Sequence, residues 1–178
     1  MRLFTAVDIP EGIERALGTM IDRLRPNAKI SWAAPEKLHI TTKFIGEWPE
    51  QRIEEMKRAL GPVAKTGPIR IAVRGIGWFP NARDPHVLWV GVEAAPELAA
   101  LARATEQAVG ALGVPVEERK YSPHLTLARI RHRERLDRLR KAVEAEGAAE
   151  CGEYEASKFF LYWSVSGEYR KLAEFSLV

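Results

Sequence analysis

Leu38-His39-Ile40-Thr41-Thr42-Lys43-Phe44 and Pro123-His124-Leu125-Thr126-Leu127-Ala128-Arg129 are the two stretches on which the fold of this chain turns. Both are apolar runs rich in strand formers and set off by turn residues, Pro35 and Gly46 around the first and Pro123 at the head of the second, so both read as strands. Strand side chains alternate between faces. His39 and Thr41 therefore share one face while Ile40 takes the other, and His124, Thr126 and Leu125 repeat the arrangement. Each strand offers an imidazole beside a hydroxyl on one face and an apolar anchor on the other.

Working outward, Leu3 to Ile9 reads as a strand, and Pro10 opens a helix with Ile13, Leu17, Met20, Ile21 and Leu24 on one face. Ile30 to Ala33 forms a short strand before the first motif. A second helix starts at Pro49 with Ile53, Met56, Leu60 and Val63 inside. Ile69, Ile71 and Val73 alternate with wetter neighbours, turn residues fill Pro80 to Pro85, and Val87 to Val92 runs back as the other arm of a hairpin. The third helix begins at Pro96 and ends by Gly110 to Gly113. The second motif strand follows, then a helix over 134–146, and finally Lys158 to Val165 and Tyr169 to Leu177 paired around Ser166-Gly167-Glu168. Four helices interleaved with about eight strands and evident hairpins predict an α+β protein with mainly antiparallel sheets. The order half repeats itself, which predicts one domain over 1–178 made of two related, pseudo-symmetric lobes with a cleft between them and helices outside.

With 178 residues, 46% of them hydrophobic, the chain can bury a real core. No run approaches the roughly 18 apolar residues of a membrane span, and the first ten residues lack a signal-peptide pattern. The single cysteine, Cys151, allows no internal disulfide and gives no zinc spacing, so a cytoplasmic, monomeric protein without metal or cofactor is expected. The formal charge of +3 is mildly attractive to phosphates and far from histone-like.

Imidazole can accept or donate a proton near neutral pH, so two histidines can divide those roles. Hydrolysis of a cyclic phosphodiester needs that division: one neutral imidazole activates water, one protonated imidazole serves the departing oxygen, and the Thr41 and Thr126 hydroxyls hold the non-bridging oxygens. Spacing alone does not say which histidine is which. A Gly-x-Ser-x-Gly elbow and carboxylate or histidine clusters at metal spacing are both missing from the sequence.

Together with Met1-Arg2-Leu3-Phe4-Thr5-Ala6-Val7-Asp8-Ile9-Pro10, the run Lys43-Phe44-Ile45-Gly46 and the closing Tyr169 to Leu177, the twin motifs make the sequence resemble the 2H phosphoesterases. Within them it is most similar to the bacterial and archaeal RNA 2',3'-cyclic phosphodiesterases, historically called 2'-5' RNA ligases. The resemblance implies a His39 general acid, a His124 general base, and opening of RNA 2',3'-cyclic phosphate ends to 2'-phosphates in RNA processing. It also implies that Arg129 binds substrate. A regular strand would turn Arg129 away from the cleft, five residues past His124, so a bulge or strand end must bring it back. Thr42 stands where the family usually has a hydrophobic residue and is expected to point coreward. The alternatives are 2'-5' RNA ligation by the reverse chemistry, and a non-catalytic RNA-binding module.

Other residues get plainer readings. By the same alternation Lys43 falls on the face of His39, either within reach of a phosphate or as a solvated strand-end lysine, and Phe44 points to the core. Trp89 and Trp163 lie inside strong strands and read as core, leaving Trp48 and Tyr121 as the base-stacking candidates. His86 and His132 read as surface residues. The basic run from Arg129 to Lys141 reads as a solvated helix face, with RNA backbone contact as the alternative.

Overall fold

The computed structural model describes residues 1–94 and 96–178. Within them run β1 (Arg2–Asp8), α1 (Glu11–Leu24), β2 (Ser31–Trp32), β3 (His39–Glu47), α2 (Ile53–Leu60), β4 (Ile69–Phe79), β5 (Val87–Ala94), α3 (Pro96–Gly110), β6 (His124–Arg129), α4 (Asp137–Ala145), β7 (Gly152–Ala156), β8 (Lys158–Val165) and β9 (Glu168–Ser176). The strands form a four-stranded sheet in the order β3-β1-β8-β9 and a five-stranded sheet in the order β2-β6-β5-β4-β7, and every pairing is antiparallel. The α+β expectation with antiparallel sheets therefore holds.

The half-repeat takes a form that the linear order hides. In the first half, β1 pairs with the motif strand β3; in the second, β5 pairs with the motif strand β6. A later strand of each half then crosses over, β4 directly after α2 and β8 after the edge strand β7. β4 joins β5 in the second sheet, and β8 joins β1 in the first. Each sheet thus contains strands from both halves, so the two are interlocked rather than side by side.

β7 is absent from the sequence reading. Its five residues, Gly-Glu-Tyr-Glu-Ala, are mostly exposed, and it occupies the edge beside β4, where an apolar run is not required. The fourth helix starts at Asp137 rather than at residue 134, so Arg131, Arg133 and Arg135 lie on the loop that leads into it.

One apolar cluster runs between the sheets and helices. It takes Leu17 and Ile21 from α1, Met56 and Leu60 from α2, Leu101 from α3, Leu139 from α4, and Ile40 and Leu125 from the motif strands. Ile40 and Leu125 are fully buried. At about 1.5–3 kcal/mol for burying such a side chain, a one-residue slip of either strand would expose this anchor, so the core sets the facing of the histidine and threonine. A smaller cluster of Phe4, Ala6, Phe160 and Tyr162 covers the opposite, cleft-side face of the first sheet.

Candidate active site

His39 stands at the start of β3, opposite Asp8 of β1. Its ring stacks on Phe4 with centroids 4.8 Å apart and meets the edge of Tyr169 at 5.1 Å. Its Nδ1 lies 2.8 Å from the carbonyl oxygen of Lys37. In the neutral ring that contact places the proton on Nδ1 and leaves Nε2 as the free nitrogen. Burial lowers the pKa of His39 below the ordinary imidazole value; the Lys37 carbonyl and the Asp8 charge pull it upward by less. Asp8 is itself held by the Tyr162 hydroxyl and by Lys171 Nζ at 2.6 Å.

His124 repeats this arrangement on the other sheet. Its Nδ1 lies 2.8 Å from the carbonyl oxygen of Ser122, again the residue two positions earlier, and Phe79 presents its ring edge-on at 5.0 Å. Phe79 in turn packs on Trp89 at 5.1 Å. Trp89 lies over Gly77, where an added Cβ would overlap the indole ring. The Gly75-Ile76-Gly77 run is therefore sheet engineering: Gly75, with φ of +77°, makes a bulge against β5, and Gly77 leaves room for Trp89.

The two motifs approach each other through the segment before β6. The Tyr121 hydroxyl donates to the Thr41 carbonyl at 3.0 Å, and Lys43 Nζ donates to the Pro115 carbonyl at 2.9 Å. Thr41 and Thr126 are both half-buried on the faces of their histidines. On the far side of β6, Ala33 donates its N–H to the Leu127 carbonyl at 2.8 Å and β2 pairs with Ala128 and Arg129, so the run from β2 into β3 follows β6 in the opposite direction.

Bulges decide what lies beyond each His-x-Thr. In β6, Thr126 faces Trp89 and Ala128 faces Leu88, which leaves Leu127 as an extra residue. Leu127 and Ala128 are both buried, and Arg129 emerges exposed opposite Val87, on the face of His124 and Thr126. The bulge required to bring Arg129 back is present. In β3 a similar bulge works against the sequence reading. Thr42 is the extra residue, buried with its hydroxyl 2.7 Å from that of Thr5. Alternation then inverts, so Lys43 turns inward and Phe44 turns out.

Lys43 neither reaches into the cleft nor sits in solvent. Its ammonium is buried and paired with Glu106 at 2.7 Å. Phe44, expected in the core, is 64% exposed, with its ring 6.2 Å from that of Phe4, an exposed aromatic beside the His39 stack that alternation alone could not find. Trp48 is buried, its indole N–H donating to the Arg52 carbonyl, so it is no stacking surface. Trp89, expected in the core, is half-buried on the cleft face. From the basic run, Arg140 is used structurally: it donates to the Ala82 carbonyl and covers the Trp78 ring at 5.6 Å.

Among the described residues no three His, Cys, Asp or Glu side chains gather as a metal site, and no helix is long and apolar enough to cross a membrane. The profile of the 2'-5' RNA ligase superfamily matches residues 10–168 and so includes both His-x-Thr strands. The chain belongs to the 2'-5' RNA ligase superfamily. Among its curated superfamily relatives, a Methanocaldococcus jannaschii protein named RNA 2',3'-cyclic phosphodiesterase is 33% identical over 92% of this chain and 91% of its own. An Archaeoglobus fulgidus protein of the same name is 32% identical over 93% of this chain and 92% of its own. Of solved superfamily folds, a Thermus thermophilus crystal structure superposes with a TM-score of 0.79 at 29% identity, covering 99% of this chain and 98% of that one. Escherichia coli LigT in complex with 3'-AMP has the same fold, with a TM-score of 0.78 at 21% identity over 99% of this chain and 98% of its own.

Proposed function

We propose that this superfamily member hydrolyses RNA 2',3'-cyclic phosphate ends to 2'-phosphates without a metal, with His39 as general acid and His124 as general base. The observation that carries this reading is the matched geometry of the two imidazoles, one from each sheet, each with Nδ1 fixed at 2.8 Å by the carbonyl two residues earlier. Fixing Nδ1 on a carbonyl leaves Nε2 to do proton chemistry in the groove. In the reaction, His124 Nε2 takes a proton from water as its oxygen bonds to phosphorus. The bond from phosphorus to the 3'-oxygen breaks, and His39 delivers a proton to that oxygen. Thr41 and Thr126 hold the non-bridging oxygens, and Arg129, farther along the same face of β6, binds the substrate strand.

Burial favours the neutral form of His39 in the free protein, which suits an acid only once substrate is bound. A cyclic phosphate anion beside the ring favours the imidazolium and supplies that proton affinity on binding. The alkaline limb of the kcat profile is therefore expected at higher pH than that of kcat/KM, since the first reports the bound enzyme and the second the free one. Ligation is the same attack with an RNA 5'-hydroxyl in place of water: the P–O5' bond forms, the bond to the 3'-oxygen breaks, and the reverse of that step is cleavage of the 2'-5' linkage.

The test is turnover of a cyclic-phosphate-terminated oligoribonucleotide in excess EDTA, with His39→Ala and His124→Ala each about a hundredfold or more slower. A substrate whose 3' leaving oxygen is replaced by sulfur separates the roles, because a thiolate departs without an acid. It should rescue His39→Ala and leave His124→Ala impaired. Rescue of His124→Ala instead would reverse the assignment, and full activity in both alanine variants would remove the mechanism.

A further inference from the structure

At the end of β6 farthest from His124, a concavity of about 120 Å³ is lined by Lys29, Ser31, Arg129, Arg131, His132 and Glu134. Ser31 is the register partner of Arg129, so β2 supplies one wall and the loop after β6 the other. Lys29, Arg129 and Arg131 are exposed and, among the described residues, enter no ion pair. With three cations against Glu134, the concavity is net positive. The loop before β6, at the other end of that strand, is charge-balanced: Arg119 is paired with Glu117, and Glu118 and Lys120 are near neighbours in sequence. A chain of phosphates lying in the groove is therefore drawn toward the β2 end.

We propose that this concavity is a subsite for a backbone phosphate of the RNA, a few nucleotides 5' of the cyclic phosphate, which makes oligonucleotide ends and not free cyclic nucleotides the preferred substrate. The proposal rests on the catalytic reading above. Arg129 follows His124 by five positions along a bulged strand, so at about 3.3 Å per residue the concavity lies roughly 13–17 Å from the catalytic histidine. A stacked strand presents one phosphate per ~3.4 Å of axis and an extended strand fewer, so that span is bridged by a few linkages. Because Arg129 shares the face of His124 and Thr126, the phosphate track is continuous from the catalytic pair into the concavity. Arg131 and Lys29, which have no ion-pair partner among the described residues, are the groups that specify the distal phosphate.

The experiment compares a nucleoside 2',3'-cyclic monophosphate with a cyclic-phosphate-terminated hexaribonucleotide on the wild-type chain and on Lys29→Glu and Arg131→Glu, both at exposed positions. Wild type should favour the hexamer, and each variant should lose about tenfold in kcat/KM on the hexamer, chiefly through KM, with the monophosphate unchanged. The salt slope for hexamer binding should fall by about one. Replacing single linkages of the hexamer by neutral methylphosphonate should weaken wild type at one position and have no effect at that position in Arg131→Glu. Equal losses on both substrates, no loss on either, or a hexamer no better than the monophosphate would each overturn the subsite. Should no cyclic phosphate be hydrolysed at all, the catalytic reading fails by itself; fluorescence anisotropy of a labelled 3'-phosphorylated hexamer then decides the subsite, which requires weaker binding in Arg131→Glu.

Discussion

The sharpest stability prediction concerns Lys43 and Glu106. The Lys43 side chain is 5% exposed and that of Glu106 25%, and they meet at 2.7 Å. The ammonium gives a second hydrogen bond to the Pro115 carbonyl at 2.9 Å, and Glu106 Oε1 also accepts the Glu117 N–H at 3.1 Å. Glu106→Leu leaves a buried cation with one carbonyl for company, a loss of the kind that costs about 3–5 kcal/mol. Partial exposure of Glu106 admits some water, which places the expectation at the lower end, about 3 kcal/mol. For a chain of this length that corresponds to a fall in Tm of about 6–12 °C. Lys43→Met together with Glu106→Leu removes both charges and should recover most of the loss, because the ion pair itself contributes little net stability. Urea and thermal denaturation of wild type, both single variants and the double variant provide the cycle. A Glu106→Leu loss below about 1 kcal/mol, or a double variant as unstable as the sum of the singles, would refute the reasoning that Lys43 is a buried charge dependent on its partner.

Three further outcomes are expected. Thr42→Val leaves the fully buried Thr5 hydroxyl without its 2.7 Å partner and should cost about 1–2 kcal/mol in urea denaturation, whereas Thr5→Val with Thr42→Val should be close to neutral. His39 has a lowered pKa when folded, so protonation favours the unfolded chain; its stability contribution is complete above the unfolded value of about 6.5 and declines as pH falls through it toward the lower folded value. His39→Gln should flatten that acid-side decline, and an unchanged slope would remove burial as its cause. Gly77→Val forces the Trp89 ring off its seat, at a cost of about 1–3 kcal/mol, and should change tryptophan fluorescence and slow turnover through the Phe79 contact with His124.

The parts of this fold that depend on local pattern were legible in the sequence. Alternation around Ile40 and Leu125 told which face each histidine would take, and helix periodicity placed Leu17, Met56, Leu101 and Leu139 inside. What escaped depends on partners far along the chain. Whether Thr42 is an extra residue is decided by its pairing with β1, and that one residue moved Lys43 into the core and Phe44 out of it. The same physics at Leu127 put Arg129 on the cleft face, where the resemblance had wanted it and regular alternation had not. β7 has no apolar run to announce it, and the exchange of β4 and β8 leaves no local mark at all.

That exchange governs when the molecule can exist during synthesis. β1 is the second strand of the chain's first sheet, yet one of its edges stays open until Phe160 to Ser164 have been made and have left the ribosome. The Phe4 ring under His39 is likewise exposed until Tyr162 and Tyr169 arrive. A nascent chain holding both His-x-Thr strands but lacking the β8–β9 hairpin would carry both proposed catalytic histidines and still lack the Tyr162 and Tyr169 rings that complete the seat of His39. Synthesis of the β8–β9 hairpin, rather than appearance of the histidines, is the event that completes the groove, and a chain stopped before it presents an unpaired β1 edge to the cell's quality control.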